Sequence, residues 1–242
     1  MQFKPVKQNR IAVDIVNQLK GAILSGRLKP GERMPTEREL TEQFQVSRVV
    51  VREALRELEI KGLVKILKGP AGGSYVTDLS FDQLNSAFLD LFLCNKLSVA
   101  ELIHTRILVE MEIARLAVLN VNATFTRRLK DALNAESFED VSHADFVSNR
   151  LIVHEILAEM CGNRLLQAIA SSLYRLSGEL ILEVKPAKKI IHRQEEHADI
   201  VRAVLAKDAA GAVAAMERHL KSVGAKLIQL ENAYRKRKGL AL

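Results

Sequence analysis

The sequence has few cysteines and no long hydrophobic run. Only Cys94 and Cys161 are present, far apart and each in an apolar, helix-like context, so neither a disulfide scaffold nor a thiolate zinc site is expected. No apolar stretch approaches ~20 residues, the length that spans a bilayer, and the N-terminal segment lacks the hydrophobic core of a signal peptide. These absences predict a cytoplasmic protein with no membrane partner.

Positive charge is concentrated toward the two ends of the chain. The formal net charge is +7, and residues 1–78 contain 14 Lys and Arg against 9 Asp and Glu, whereas residues 79–234 contain 18 basic and 20 acidic side chains. Residues 235–238 are all basic. A basic first segment indicates a polyanionic partner there, with counterion release supplying the sequence-independent part of affinity. The hydrophobic content of 48% is sufficient for well-packed cores, so disorder is not expected.

Two short helices with a tight turn between them are predicted near the N-terminus. Thr36 and Glu39 have the spacing of a capping box, in which each side chain bonds the other residue's backbone amide, so a helix begins there. A break at positions 45–46 follows, and Ser47 is a suitable N-cap for a second helix that ends near Gly62. The pattern is typical of a helix-turn-helix.

The second helix has an apolar face and a basic face. Spacing of i, i+3, i+4 and i+7 predicts a buried stripe of Val51, Ala54, Leu55 and Leu58. Beside it Arg48, Arg52 and Arg56 recur every four residues, and arginine is suited to gripping guanine O6 and N7, or a phosphate, in two places. The alternative is a solvated basic face whose arginines pair with local carboxylates such as Glu53 and Glu59.

A β-hairpin is predicted directly after these helices. Two alternating runs, 63–67 and 74–77, flank a turn rich in glycine and proline, with Lys68 at its tip and no bulky side chain to prevent close backbone approach. The turn signal Pro30-Gly31 predicts a short strand that pairs with this hairpin. The hairpin therefore has the features of a wing.

The segments PTEREL, VSRVVVREALRELEIKGLV and GGSYV, in this order, resemble the winged-helix domain of GntR-family bacterial transcription regulators over residues 10–77. The resemblance implies double-stranded DNA as the partner, with the wing tip in the minor groove. By the same resemblance, the DNA contacts fall on Arg38, Ser47, Arg48, Arg52, Lys68 and Gly69.

The rest of the chain is predicted to be helical. Ser98 and Glu101 form a second capping box pattern. Helix-capping and helix-breaking residues predict helices at about 98–120, 124–135, 142–161, 164–184, 188–206 and 209–236. The expected fold class is mainly α, with a winged helix-turn-helix and its small β-hairpin wing followed by an all-α antiparallel helical bundle. The predicted domains are a DNA-binding domain, a helical linker, and an effector-binding and dimerisation domain with a basic C-terminal tail, at 1–78, 79–97 and 98–242.

Five polar side chains occupy positions that the apolar stripes assign to the interior of the bundle. Three are histidines from three helices, His154, His197 and His219, and such a convergence suits ligation of a divalent metal, although a single inward histidine is usually a core residue bonded to a carbonyl. Arg106 and Arg150 are the other two. Each is either a clamp for a carboxylate ligand or half of an internal salt bridge, to Glu110 or Glu155 for example.

The segments TRILVEMEIARLA, HEILAEMCGNRLL and EEHADIVRAVLAKDAAGAVAAMERHL resemble the FCD ligand-binding domain of the FadR branch, over about 98–233. In that family one Asp and three His commonly hold a metal, and the effector is often a small organic acid. The three histidines of this chain match, but Arg150 stands at the position of the Asp. Two alternatives follow. Either zinc or another divalent ion is held by three His with a water or effector oxygen, or Arg150 replaces the positive charge of the metal. The effector contacts expected are Arg106, Arg150 and Asn163.

These features predict a homodimeric transcription regulator, not an enzyme, with repression as the expected sign. A small carboxylate effector in the C-terminal domain is expected to release it from a palindromic operator or to adjust its binding there. The alternative is a metal-dependent hydrolase domain carried by a DNA-targeting head, since three His with an open position is also a catalytic pattern. That alternative needs a general base near the metal, and Glu155 and Glu196, each one residue from a histidine, are expected to face away.

Overall fold

The protein forms two compact units, Met1–Gln83 and Leu84–Leu242. The computed structural model describes residues 9–69, 72–78, 82–138, 141–187 and 194–239. None of the helices in these ranges is both long and apolar enough to cross a membrane. The first part of the helix predicted at 188–206, the start of the predicted linker and the centre of the hairpin turn lie outside the described residues.

The first unit is a three-helix cluster with a hairpin. Its elements are α1 Asn9–Leu24, α2 Glu37–Phe44, α3 Arg48–Ile60, β1 Val64–Leu67 and β2 Gly73–Val76. The two strands are antiparallel, with Val64 opposite Val76. Where a short strand was predicted to pair with the hairpin, the structure has a single bridge between Arg33 and Tyr75. The winged helix-turn-helix fold is confirmed.

Local sequence signals account for the positions of α2 and α3. The capping box at α2 is present, since Thr36 Oγ1 accepts from the Glu39 amide at 3.2 Å and Glu39 Oε2 accepts from the Thr36 amide at 2.7 Å. Gln45 then takes a left-handed conformation, with φ of 52°, that ends the helix. The predicted stripe of α3 is buried against α1 and the hairpin, and its members are Val51, Ala54, Leu55 and Leu58.

The second unit is an all-helical bundle, as predicted. Its helices are α4 Asp82–Leu93, α5 Val99–Ala117, α6 Ala123–Glu136, α7 His143–Met160, α8 Arg164–Val184, α9 Gln194–Leu205 and α10 Ala209–Lys238. One 3₁₀ turn, Val118–Asn120, extends α5. Helices α5 and α10 have the most extensive contact, and they approach closely because Gly224 has no Cβ to overlap with Ile103. The functional side chains of the bundle lie at the facing surfaces of α5, α7, α9 and α10.

The helix predicted as a linker is packed into the bundle. Phe92 of α4 is buried in the same apolar cluster as α5, α8 and α10, and Asn85 accepts a hydrogen bond from Ser172 of α8. Leu91 of the same helix is exposed, although it is apolar. Because apolar residues occur on more than one face of this helix, the sequence did not determine which face is buried. In the structure, contact with α8 and α10 determines it. Residues from 84 onward therefore form part of the second unit.

The basic C-terminal segment is also bound to the bundle rather than free. Arg235 is buried, pairs with Glu231 at 2.6 Å and donates to the carbonyl oxygens of Phe92 and Leu97. Two further positions of this segment are engaged by α8, since Lys238 pairs with Glu183 and Arg237 donates to the Glu183 carbonyl oxygen. Part of the +4 charge that the sequence assigns to this tail is therefore used internally, to hold the turn between α4 and α5.

Candidate functional site

The recognition helix α3 presents a row of exposed arginines. Arg48, Arg52 and Arg56 are exposed, beside the buried stripe. Ser47 is the N-cap of α3, but its side chain makes no capping hydrogen bond. The sequence left open that Arg52 pairs with a local carboxylate such as Glu53. In the structure it pairs with a more distant one, because Arg52 Nε donates to Glu37 Oε1 of α2 at 3.1 Å. The N-terminal end of α3 thus carries donors at the positions that such helices turn toward base edges.

The wing lies beside this row. Lys68 and Gly69 are exposed, and Gly69 has a φ of +104°, which favours glycine. Arg33 Nη2 donates to the Gly72 carbonyl oxygen at 2.6 Å and so fixes the base of the turn. A groove of about 640 Å³ runs between α3 and the wing, and its lining includes Arg52 and Lys68.

Arg38 completes the six predicted DNA contacts. Its side chain is 74% exposed, near the start of α2, and lies 3.9 Å from Glu42. All six positions are therefore exposed in the first unit, and the groove brings Arg52 and Lys68 together. The roles of these six residues in DNA binding stay predictions.

The three predicted histidines converge in the core of the second unit. His154 of α7, His197 of α9 and His219 of α10 are each at most 2% exposed. The Nε2 atom of His197 lies 3.1 Å from that of His154 and 3.3 Å from that of His219. These three nitrogen atoms form a group within 4.8 Å of one another. Three helices, α7, α9 and α10, thus each bring one histidine to a single point.

Each histidine is held from behind by a carboxyl group. The Nδ1 atoms of His154, His197 and His219 lie 2.5, 2.6 and 3.0 Å from oxygens of Glu110, Glu136 and Glu196. Glu196 was expected to be turned off the ligand face, and it lies on the Nδ1 side of a ring rather than at the Nε2 atoms. It turns away from its neighbour His197 but reaches His219 on α10, and this could be known only from the packing of α9 on α10. Glu136, from α6, was not foreseen because nothing local marks it.

This arrangement favours one tautomer of the histidines. An ionised carboxylate only accepts hydrogen bonds, so wherever the Glu behind a ring is ionised, Nδ1 carries the proton and Nε2 presents its lone pair to the shared point. Burial lowers the pKa of His154 and lowers that of His197 to about 3, so both rings are neutral at pH 7. Converging lone pairs repel one another unless a cation lies between them. The donor set therefore fits a divalent metal that prefers imidazole nitrogen, such as zinc.

The carboxyl groups behind the histidines differ in their electrostatics. Burial alone raises the pKa of Glu110, but Arg106 and His154 outweigh it and bring that pKa to about 2. Burial raises the pKa of Glu136 to about 8, against the opposing effect of Arg150. One Glu136 oxygen, Oε2, has no hydrogen-bond partner. A dication at the shared point would stabilise the charged form of Glu136 through His197.

Arg106 and Arg150 border the histidines on the side of a small cavity. This cavity has a volume of about 30 Å³, and its lining includes Arg106, Arg150, His154, Ser177 and His219. Arg106 is buried and bonds Glu110 at 2.7 Å and Ser177 at 3.0 Å. The internal salt bridge with Glu110, offered as the alternative to a ligand clamp, is thus present, although it leaves Arg106 in the cavity wall.

Arg150 is less completely satisfied. Its guanidinium lies 3.6 Å from the centre of the Phe146 ring, and its Nε is buried without a hydrogen-bond partner. Burial lowers the pKa of Arg150, with Glu136 acting in the opposite direction. A positive group with an unmet donor at a cavity wall is suited to an anionic ligand.

Asn163 lies apart from this group. Its side chain caps α8 by accepting from the amides of Leu165 and Leu166 at 3.0 and 3.2 Å, and it is not among the residues that line the small cavity. The structure therefore brings together five of the six predicted effector and metal residues, and it gives the sixth a structural role as a helix cap.

Two families match the two units of this chain. Residues 11–76 match "Bacterial regulatory proteins, gntR family" and residues 101–222 match "FCD domain". The chain is 34% identical to the Uxu operon transcriptional regulator of Escherichia coli strain K12, over 88% of this chain and 85% of that one. It is 33% identical to the HTH-type transcriptional regulator LutR of Bacillus subtilis strain 168, over 83% of this chain and 94% of that one.

A third relative is named as a repressor, and a solved structure has the same fold. The chain is 30% identical to the HTH-type transcriptional repressor NanR of Klebsiella aerogenes, over 93% of this chain and 88% of that one. The structure named Streptococcus agalactiae GntR superimposes with a TM-score of 0.62 and 26% identity, over 89% of this chain and 99% of that one. The chain belongs to the GntR family of bacterial transcription regulators, in the group that carries an FCD domain.

Proposed function

We propose that the protein is a homodimeric repressor that binds a palindromic operator and is released from it, or adjusted on it, by a small organic acid. The observation that carries the effector part is the cavity lined by Arg106, Arg150, His154 and His219. The relative named as a repressor makes repression the expected sign. A DNA target supports the cytoplasm, the compartment expected from the sequence.

A metal at the three Nε2 atoms would leave a coordination position for an oxygen ligand. Zinc sites with three protein ligands keep a fourth position open, and Arg150 stands where the family commonly places an Asp. An acid could place a carboxylate oxygen there, while Arg106 and Arg150 balance its charge. In the other version, Arg150 supplies the fixed positive charge without a metal. Both versions bind an anion.

The small volume of the cavity has a consequence for effector entry. About 30 Å³ holds roughly one or two waters, so an organic acid needs the surrounding helices to move apart. Binding that requires such a movement favours a different arrangement of the bundle. A ligand can shift an equilibrium only through a difference in affinity for two states. The closed cavity is therefore consistent with a switch.

A hydrolase is the rejected alternative, because the family consists of transcription regulators rather than enzymes. The geometry gives the same answer. Glu110, Glu136 and Glu196 are engaged on the Nδ1 side of the rings, away from the Nε2 atoms. None of these three is placed as a general base for a water at the shared point.

The metal proposal predicts a stability difference. Wild-type protein purified without chelator should contain about one divalent ion per chain, and chelator should lower its melting temperature because an ion that binds only the folded state stabilises it. His197→Ala should lose the ion. A matched control is His104→Ala, at an exposed position on α5, which should keep it. Metal-free wild-type protein that shows no thermal shift with added zinc would favour the version in which Arg150 replaces the metal.

The effector proposal is tested by a thermal-shift screen of small mono-, di- and keto-acids, each with and without chelator. A bound acid stabilises the folded protein by mass action and so raises its melting temperature. At an acid concentration 100 times the Kd, the free energy of unfolding increases by about 2.7 kcal/mol. Uncharged analogues such as the corresponding amides serve as controls. A shift that depends on the carboxylate supports the acid pocket, and equal shifts with the amides would argue against it.

Dimerisation is expected without DNA. A two-fold operator needs two heads related by a two-fold axis, and the exposed apolar side chains of the second unit include Leu108, Leu119 and Leu165. Light scattering at micromolar concentration should therefore report a particle of twice the chain mass of 27.0 kDa. A monomeric particle would remove the argument for a symmetric operator.

A further inference from the structure

Glu37 lies at the start of α2 and faces the recognition helix. Its Oε1 accepts a hydrogen bond from Arg52 Nε at 3.1 Å, and the two side chains are 44% and 69% exposed. An ion pair that exposed contributes little to folding stability. The stability of the first unit therefore does not explain why a carboxylate stands beside Arg52 on the surface that carries the predicted DNA contacts.

The contact restricts how Arg52 can bind a base. A guanidinium has two edges able to form a bidentate pair, one made by Nη1 and Nη2 and the other made by Nε and one Nη. Glu37 occupies Nε, so the edge made by Nη1 and Nη2 is the one left for guanine O6 and N7. A side chain held in this way also loses less conformational freedom on binding.

The carboxylate has a cost in affinity for any DNA. Glu37 and Arg52 line the groove between α3 and the wing together with Arg33, Arg56 and Lys68. These cations attract the phosphate backbone irrespective of sequence, whereas a carboxylate among them repels it. That repulsion is the same for every duplex, but the gain from an oriented Arg52 exists only where a guanine is in place.

We propose that Glu37 is a specificity-determining residue, which orients Arg52 for a guanine and lowers the affinity for DNA that lacks that guanine. It is a positioning residue, because it acts through Arg52. The inference rests on the proposed role of Arg52 in reading a base. Glu37 is thus expected to raise the affinity for the specific site and to lower the affinity for other DNA. A purely structural role would not produce these opposite effects.

The test compares two variants at Glu37 on two duplexes at fixed salt. One duplex is a site selected from a random pool with the full-length protein, and the other has the same length and composition with its half-sites scrambled. Glu37→Ala should bind the scrambled duplex several-fold more tightly than wild type, and the ratio of specific to non-specific affinity should fall about tenfold or more. Glu37→Gln keeps an acceptor for Arg52 Nε, so it should recover part of that ratio.

The matched control is Glu57→Gln. It removes the same charge from α3 itself, at a carboxylate that pairs with Lys61 at 3.2 Å rather than with an arginine of the basic row. The ratio of specific to non-specific affinity of Glu57→Gln should equal that of wild type. Circular dichroism should show that all variants are folded. If Glu37→Ala keeps the wild-type ratio while Arg52→Ala lowers it, this inference is overturned and the DNA assignment stands. If Arg52→Ala leaves the ratio unchanged, both fail.

Discussion

Replacing Glu110 with alanine is expected to lower the free energy of unfolding of the protein by about 3–5 kcal/mol, because it leaves a buried guanidinium without its charge partner. Glu110 is 0% exposed and joins Arg106, at 2.7 Å, to His154, at 2.5 Å. Without it, Arg106 keeps only the neutral Ser177 among these partners. Denaturant unfolding followed by circular dichroism measures the change.

The same helix supplies a control for this prediction. Glu112 pairs with Arg115 at 2.6 Å, but the two side chains are 43% and 51% exposed. Exposed pairs contribute about 0–1 kcal/mol, so Glu112→Ala should change the unfolding free energy by no more than that. Equal effects of the two substitutions would contradict the burial of the side chains of Arg106, Glu110 and His154 in the structure.

Alanine at Arg48 or at Arg52 is expected to weaken binding to a selected operator duplex by about 1–3 kcal/mol, which is the cost of losing a base-reading arginine. The preference for the base that the side chain contacts should relax at the same time. Anisotropy titrations on the operator, and on single-base variants of it, measure both effects at fixed salt. Wild-type affinity in both variants would show that α3 is not the recognition helix.

Lys68→Ala provides the contrast. A lysine at the wing tip acts on the backbone as a point charge, so its loss should weaken binding about equally on all sequences and reduce the salt slope by about 1. Arg48→Ala and Arg52→Ala should instead act mainly on the selected sequence. The two classes of contact are thus separated by the sequence dependence of the loss rather than by its size.

Local signals in the sequence predicted much of the first unit. The capping box at Thr36 and the stripe on α3 depend on residues within two turns of one another, and both are found as predicted. The partner of Arg52 could not be predicted in this way, because Glu37 is 15 positions away on another helix. Tertiary contacts of exposed side chains have no periodic signal in the sequence.

In the second unit, periodicity predicted which side chains point inward but not what they meet. His154, His197 and His219 interrupt apolar stripes, so their burial followed from spacing. Their carboxyl partners come from other helices: Glu136 ends α6, and Glu196 passes its neighbour His197 to reach α10.

The most direct test of regulation by an acid is operator binding in the presence of that acid. Full-length wild-type protein, Arg106→Ala and His197→Ala, each shown to be folded by circular dichroism, are titrated onto the selected duplex with and without the acid found in the thermal-shift screen. The acid should change wild-type affinity by about 5- to 150-fold, the usual range of allosteric coupling. Both variants should bind the duplex without acid and need more acid to respond. If both respond at the wild-type acid concentration, the effector does not bind at the cavity lined by Arg106, Arg150, His154 and His219.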